Sequence, residues 1–355
     1  MKRKILLLTA LISTMTAWAG VGSIISVNNL RYKVTSENPN TVELIGYEVM
    51  PSGTLTVRPT VNDGVKSYAI TSICDKDFLR CNDITKVFIG RNVTKIGKSA
   101  FQYCSGMTSL SFVKDGQLTN IDEYAFMECS SLTSVDIPAG VQSIGENTFG
   151  YCYDLKSVSI PASLTNCNSL SFACSGIWTF NVDLGNANFS AKDGVLFNKD
   201  QTTIVCFPPG RNNHSYTIPD GVTCIGIGAF GRCVSLESIT IPYSVTRIED
   251  YAFIYCYNVT DVYCYANPAN LTWVEDPKSF MENKATKCHV NDVAAWANRF
   301  YHVNVTFVGG LPAGIDDLSV VNSQEKSTVY NFSALRINNL RKGLNIMDGK
   351  KVLVR

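Results

Sequence analysis

The chain has 355 residues, enough for two average globular domains or for one long repetitive domain. Charged residues make up 17% of it and hydrophobic residues 45%, and its formal net charge is +1. Without the first three basic residues, Lys2, Arg3 and Lys4, 28 basic residues face 30 acidic ones, a net charge of −2. Because there is no basic excess to hold phosphate, we expect no nucleic-acid partner.

The first 19 residues have the pattern of a secretory signal peptide. A basic start is followed by a short apolar run over residues 5–17, and Ala17-Trp18-Ala19 places small residues before Gly20. A membrane anchor is the alternative, but this run is too short to cross about 30 Å of hydrocarbon. No other stretch is long and apolar enough for a spanning helix. We therefore predict export, with the mature chain at the cell surface or outside the cell and without a transmembrane span.

Seven cysteines recur at a nearly constant spacing, with intervals of 23, 25, 23, 22, 59 and 23 residues. They are Cys81, Cys104, Cys129, Cys152, Cys174, Cys233 and Cys256. The long interval contains one further unit, in which Gly210 takes the cysteine position, and an insertion. Self-similarity at a fixed period of about 20–50 residues indicates a solenoid.

Each unit repeats the same apolar positions. Counting from a cysteine as zero, apolar residues lie at +6, +8, +12 and +15, and a small residue followed by Phe lies at +19 and +20. After Cys129 these are Val135, Ile137, Val141, Ile144, Thr148 and Phe149. Positions +6 and +8 share one face of a strand. A proline after +8 ends that strand, because proline has no N–H to donate to a backbone hydrogen bond. Stacked units would bury a set that one unit cannot bury alone.

Two units depart from this spacing. The unit after Cys104 carries two extra residues within residues 112–121. The insertion in the long interval predicts a β-hairpin near residues 190–208, formed by residues 194–197, a polar turn, and residues 202–207.

The order small-Phe-x-x-Cys-x-x-Leu-x-x-Val-x-Ile-Pro-x-x-Val-x-x-Ile resembles the BspA-type leucine-rich repeat of secreted and surface proteins from anaerobic bacteria, and the resemblance covers roughly residues 66–307. It implies a mostly β solenoid, a right-handed coil of about 23-residue repeats with short strands, turns and short helical segments. Residues 20–65 would form an N-terminal β cap with a degenerate first coil at Leu55–Pro59, and residues 66–285 the solenoid. Residues 286–310 would form a closing cap whose helix carries Val293, Trp296 and Phe300.

Residues 311–355 alternate apolar and polar residues and predict a small C-terminal β appendage. This segment resembles the type IX secretion sorting tail of such bacteria, which would make the secretion machinery a partner. It has Ser333-Ala334 and Asn345-Ile346 where that tail usually has Ser-Gly and Tyr-Ile. Both a sorting tail and a plain β appendage remain open interpretations.

Thirteen cysteines in an exported chain would ordinarily suggest disulfides. The seven repeat cysteines, however, occupy the same position in successive units, shortly after the Phe, and we call this row of stacked positions the file. The position needs a small buried group, and a free cysteine can serve as one. Their Cβ vectors would run parallel instead of converging. A buried ladder of thiols and one or more disulfides are the two interpretations.

Nothing in the sequence points to catalysis, a metal or a cofactor. The histidines are His214, His289 and His302, and neither a CxxC nor an HExxH pattern occurs. The file cysteines have no activating base in their repeat, and His214 lies in a polar loop. We expect a protein that is not an enzyme.

The candidate binding surface consists of the side chains at +5 and +7, which point away from the core on the strand face. They are Lys86, Phe88, Ser109, Ser111, Ser134, Asp136, Ser157, Ser159, Thr179, Asn181, Ser238, Thr240, Asp261 and Tyr263. One interpretation is a stripe that keeps the sheet soluble through cross-strand hydroxyl pairs. The other is an extended surface for a long partner, with anchors from exposed aromatic residues and from Lys192, Lys199 and Arg211 on a projecting hairpin.

Tyrosines next to the file cysteines could form a second aromatic row on another face, or simply pack there. They are Tyr103, Tyr151, Tyr153, Tyr255 and Tyr257.

The expected function is macromolecular binding at the cell surface. The resemblance implies adhesion to host extracellular proteins or to other bacterial cells. A glycan-binding module and a structural surface protein without a specific ligand are the alternatives.

Overall fold

The computed structural model describes residues 20–167, 169–273, 286–299 and 306–311, together with the backbone of four short strands beyond residue 311. The signal-peptide prediction for residues 1–19 and the predicted cap position of Phe300 lie outside the described residues. Within the described part, nearly all regular structure is β. The exceptions are the α-helix Val293–Arg299 and the 3-10 helix Ser169–Phe172.

Short parallel strands stack coil upon coil, which confirms the predicted solenoid. Each coil contributes a longer strand at the +6 and +8 positions, here called the front strand. The front strands are Gly53–Val57, Ile84–Ile89, Ser109–Phe112, Ser134–Asp136, Ser157–Ile160, Thr179–Val182, Ser215–Thr217, Ser238–Ile241, Asp261–Cys264, Lys287–His289 and Thr306–Val308. They form three sheets of three, three and five strands.

A second, two-residue strand around the +15 position is here called the back strand. The back strands are Lys95–Ile96, Asn120–Ile121, Ser143–Ile144, Cys224–Ile225, Arg247–Ile248 and Thr272–Trp273. They pair in parallel with one another and with the longer strands Ser67–Ile73 and Thr203–Cys206. Each coil is therefore hydrogen-bonded on two sides, and its apolar residues are enclosed between them.

The N-terminal cap closes the first coil with antiparallel strands. Ile24–Val27, Leu30–Glu37 and Asn40–Tyr47 pair in sequence, and the last of these runs parallel to Ser67–Ile73. Thr60–Asn62 pairs antiparallel with Ser67–Ile73. At the front, Gly53–Val57 lies in parallel register with Ile84–Ile89, so it is the front strand of the degenerate first coil.

Stacked phenylalanine rings form the centre of the core. Phe101 and Phe126 lie 5.3 Å apart and are parallel to within 2°, and Phe126 and Phe149 lie 5.6 Å apart and are parallel to within 6°. The stack is interrupted after Phe172 and resumes from Phe207 through Phe230 to Phe253. A ring at every 23rd or 25th position thus packs on its copy in the next coil.

Buried thiols run beside these rings. Cys104 Sγ donates a hydrogen bond to Phe78 O at 3.1 Å, and Cys256 Sγ donates to Phe230 O at 2.8 Å. All thirteen cysteines lie in the described ranges, and none is in a disulfide. The file position therefore suits cysteine because its side chain is small, polarizable and able to donate weakly to the preceding coil.

The inserted hairpin lies inside the solenoid instead of projecting from it. Its strands Phe189–Lys192, Val195–Asn198 and Thr203–Cys206 are antiparallel, and the last pairs in parallel with Cys224–Ile225. Leu196 packs into the N-terminal core, whereas Val195 and Phe197 pack into the C-terminal core. The strand Val195–Asn198 is therefore buried on both faces, and the hairpin separates the two cores.

Beyond the solenoid, the described backbone forms a small antiparallel sheet. Its strands are Arg336–Ile337, Val329–Tyr330, Gly343–Met347 and Lys350–Val354, in that order.

Half-buried Asp77 makes the first coil sensitive to pH. Burial, together with the carboxylates of Glu43 and Asp75, raises the pKa of Asp77 to about 7, although the Cys74 N–H donates to it. The folded state therefore holds this proton more tightly than the unfolded state, and the stability it contributes is complete below about pH 4 and lost as the pH rises through 7.

Replacing Asp77 by asparagine should remove this loss, because the amide keeps an acceptor for Cys74 N–H but cannot ionise. We expect Asp77→Asn to melt a few degrees above the wild type at pH 8, with the difference shrinking towards pH 5. Thermal unfolding followed by circular dichroism at several pH values measures it. The exposed Asp220→Asn is the control, and a difference for Asp77→Asn that does not change with pH would contradict the prediction.

Candidate binding surface

Parallel register aligns the predicted surface residues into two rows along the front strands. In the middle sheet, Ser134, Ser157 and Thr179 lie side by side, as do Asp136, Ser159 and Asn181. The residues between them, Val135, Val158 and Phe180, are buried. The +5 and +7 side chains are therefore on the solvent side, and all fourteen predicted residues are exposed or half-exposed. We call these two rows the front surface.

The N-terminal part of the front surface carries Lys86 and Phe88, aligned with Ser109 and Ser111. The Phe88 side chain is 38% exposed. The first coil extends both rows with Thr54 and Thr56, which were absent from the sequence prediction.

The C-terminal part holds a compact polar and aromatic group. Asp261 Oδ1 and His289 Nε2 are 2.8 Å apart, and the His289 ring stacks on Tyr263 with 4.7 Å between centroids. The hydrogen bond from His289 lowers the pKa of the Asp261 carboxyl. Lys287 lies beside Asp261 in register. His289 and Lys287 escaped the sequence analysis because their strand lies in the segment assigned to the closing cap.

Ser215 and Thr217 also belong to the front surface, in register with Ser238 and Thr240. The repeat spacing contained the signal for them, since they lie at +5 and +7 from Gly210.

The front surface is interrupted between Ser109–Phe112 and Ser134–Asp136. These strands belong to different sheets, and no backbone hydrogen bond joins them among the described residues. A cleft of about 610 Å³ lies between them, lined by residues 108–116 on one side and residues 133–134 and 136–140 on the other. The surface is thus a stripe of polar side chains with this cleft and one further break, between Thr179–Val182 and Ser215–Thr217, which also belong to different sheets.

The cysteine file is chemically shielded. Burial raises the pKa of both Cys104 and Cys152 to about 12, and that of Cys129 well above the ordinary value. A thiol of this kind is not a thiolate at neutral pH and does not act as a nucleophile.

The structure places Cys174 one position outside the file. Ser175 N donates to Phe172 O at 3.2 Å, as Cys104 N does to Phe101 O, so Ser175 takes the file position. Cys174 has a left-handed backbone, with a φ of 61°, like Tyr103 and Tyr151 before the other file residues.

The tyrosines beside the file form a row that includes arginine. The Arg232 guanidinium lies 5.1 Å from the Tyr151 ring and 5.3 Å from the Tyr255 ring. Tyr153 and Tyr257 remain 52% and 46% exposed. Tyr151 and Tyr255 therefore pack in the row through cation–π contacts between coils, whereas Tyr153 and Tyr257 expose their rings to solvent.

Other predicted residues lie apart from these features. His214 Nδ1 is 2.9 Å from Glu237 Oε1, and both side chains are exposed. Lys199 Nζ donates to Asn186 O at 2.5 Å, and Arg211 lies over the Phe207 ring, whereas Lys192 is exposed. Two of the three proposed hairpin anchors are thus engaged within the fold.

Among the described residues, no group of three or more His, Cys, Asp or Glu side chains is placed to hold a metal ion. The same part of the chain contains no helix with the length and apolar character needed to cross a membrane.

Comparisons with known proteins match the repeat. The family model described as "BspA type Leucine rich repeat region" matches in six copies over residues 70–193 and 205–291, more than half of the chain. No curated protein matches.

Solved structures share the solenoid at low identity. The crystal structure of the pneumococcal vaccine antigen PcpA is 18% identical with a TM-score of 0.54, and the match covers 82% of this chain and 99% of that one. A leucine-rich repeat protein from Eubacterium ventriosum is 21% identical with a TM-score of 0.50, covering 74% and 82% of the two chains. At these identities the likeness shows the fold alone.

Proposed function

The chain belongs to the BspA-type leucine-rich repeat family, and from this membership we propose that it is an exported, non-enzymatic protein that binds another macromolecule at the cell surface. The partner is an extracellular protein of a host or the surface of another bacterial cell. The basic, apolar and small-residue order of residues 2–19 supports export.

The alignment of the front surface is the observation that carries this proposal. Within each of the three front sheets, successive coils repeat short polar side chains in register, with Phe88 in the first sheet and Tyr263 in the last. An extended partner can contact several coils at once, and the aromatic residues are the type that most often supplies binding energy at protein interfaces. Few long charged side chains would have to be desolvated on binding.

Binding of solubilised extracellular-matrix proteins, immobilised on a biosensor, tests the proposal. A double variant, Ser157→Arg with Ser238→Arg, places two bulky charges on the front surface and should weaken saturable binding at least tenfold, about 1.4 kcal/mol. Gln142→Arg is the matched control, because Gln142 is exposed and precedes a back strand.

Equal binding by the double variant and the control would remove the front surface as the site. Self-association without saturable binding by the wild type would favour the structural role instead.

Residues 311–355 are proposed as the segment that the secretion machinery recognises. The antiparallel pairing of Gly343–Met347 with Lys350–Val354 supports a β tail of this kind. A chain truncated after Leu311 should then stay inside the cell envelope, as followed by surface proteolysis of whole cells; unchanged surface exposure would argue for a plain appendage.

A further inference from the structure

The cleft between Ser109–Phe112 and Ser134–Asp136 arises from the two extra residues in its first coil. These residues form a turn after the front strand, in which Gly116 N donates to Val113 O at 3.2 Å and Asp115 has a φ of 60°. On the other side of the coil, Asn120 pairs normally with Lys95 and with Ser143. The insertion is thus absorbed entirely at the front.

A proline follows the second strand of the cleft. In some coils the residue after the front strand donates its N–H to the preceding coil, as Val113 N does to Ile89 O, whereas Pro161 and Pro242 hold this position in coils whose front strands pair with the preceding one. Pro138 occupies this position next to the cleft and has no N–H to donate to Phe112 O. Among the described residues no backbone hydrogen bond joins the two strands, so peptide groups along both edges of the cleft can bind a ligand.

The lining combines hydrogen-bonding groups with one apolar patch. Ser109, Ser134 and Asp136 are among the lining residues, and the Asp136 carboxylate accepts a 2.8 Å hydrogen bond from Ser159 Oγ on the next strand. The half-buried Phe112 ring supplies apolar surface. A volume of about 610 Å³ lies within the usual range for small-molecule sites, about 300–1,000 Å³.

We propose that this cleft binds a short uncharged saccharide, such as the end of a glycan chain. Sugar hydroxyls both donate and accept, so they match a lining of hydroxyls, a carboxylate and free peptide groups, while a sugar's C–H face matches Phe112. The ionisable side chains at the cleft are Lys114, Asp115 and Asp136, a mixed set without the basic cluster that an acidic sugar would need. This inference rests on the proposed function, because it assigns a ligand class to part of the front surface.

A peptide strand fits the cleft less well. Inserting a strand between Ser109–Phe112 and Ser134–Asp136 would require them to be about 9.6 Å apart, twice the normal spacing. The back strands of the same two coils, Asn120–Ile121 and Ser143–Ile144, remain hydrogen-bonded and hold these coils at single-strand spacing on that side. A saccharide needs no such separation.

An array of immobilised neutral hexose and N-acetylhexosamine oligosaccharides, probed with the full chain, tests the inference. The wild type should bind a subset saturably, and Ser134→Tyr, which fills the cleft, should lower the affinity at least tenfold. Gln142→Tyr is the matched control and should bind like the wild type. Asp136→Ala is a second variant with the same expected loss, should the tyrosine disturb the fold as seen by circular dichroism.

Absence of saccharide binding by the wild type, or equal binding by Ser134→Tyr, Asp136→Ala and Gln142→Tyr, would overturn the inference. Retention of extended peptides in place of saccharides would also overturn it. The proposed function would survive each of these results if the matrix-protein assay still showed binding that the double arginine variant loses.

Discussion

Replacing Asn186 by leucine is expected to destabilise the fold by about 4 kcal/mol, on the order of one for each of the four hydrogen bonds that its side chain makes. The Asn186 side chain is 0% exposed. Its Nδ2 donates to Pro161 O at 2.7 Å and to Leu164 O at 3.1 Å, and its Oδ1 accepts from Asn188 N at 2.8 Å and Phe189 N at 2.7 Å. Leucine has a similar size but can make none of these four bonds.

The effect should be large because these bonds join the start of the insertion to the preceding coil. Without them, Asn188 N and Phe189 N would lose the acceptor that they share, and Pro161 O and Leu164 O would each keep only a longer bond, from Leu164 N at 3.3 Å and from Asn188 Nδ2 at 3.5 Å. A cost of this size is a large part of the roughly 5–15 kcal/mol that stabilises a typical domain.

Guanidinium unfolding followed by circular dichroism measures this loss. Asn181→Leu is the matched control: Asn181 is exposed on the front surface, so its change should stay within about 0.5 kcal/mol. A midpoint for Asn186→Leu equal to that of Asn181→Leu would show that the four bonds contribute little.

Truncating Phe126 to alanine should cost about 3–5 kcal/mol. This ring is fully buried between Phe101 and Phe149, at 5.3 Å and 5.6 Å, so its removal leaves a cavity in the middle of the stack. In a solenoid each coil contacts only its neighbours, so the loss falls on two interfaces at once.

Hydrogen exchange separates this local effect from global unfolding. The amide of Phe101, which donates to Ala125 O, should lose protection from exchange in Phe126→Ala. The amide of Phe230, which donates to Ala252 O in a distant coil, should change less. Phe88→Ala is the control, because Phe88 lies on the front surface outside the core. Uniform loss of protection along the chain would instead indicate one cooperative unit.

Much of the fold could be predicted from the spacing of apolar residues. The phased positions identified the front strands and the rings of the core, because an inward position in one coil must be inward in every coil that stacks on it. The same logic placed the fourteen front-surface residues on the solvent side.

The position of Cys174 shows a limit of that approach. Counting from cysteine to cysteine gave an interval of 22 residues and placed Cys174 in the file. The phenylalanines Phe149 and Phe172 keep the 23-residue interval, and the core follows the rings because they bury far more surface than a thiol. Counting from Phe would have put Ser175 in the file.

The hairpin shows another limit. Two of its three strands were predicted from the sequence and Phe189–Lys192 was not, and the run Val195-Leu196-Phe197 was interpreted as part of a projecting element. A continuous apolar run is also what a strand buried on both faces requires. Which of the two holds depends on the coils on either side, since only their packing covers the second face.

By itself the sequence determined the repeat, the inward and outward side of the front strands, and the family, since these follow from periodicity within one coil. Only the tertiary structure decided where the front sheet opens, that Arg232 bridges tyrosines from distant coils, and that the hairpin separates two cores. The physical reason is that an insertion can be absorbed on either side of a coil. The hydrogen bonds between neighbouring coils select the side, and they join residues far apart in the chain.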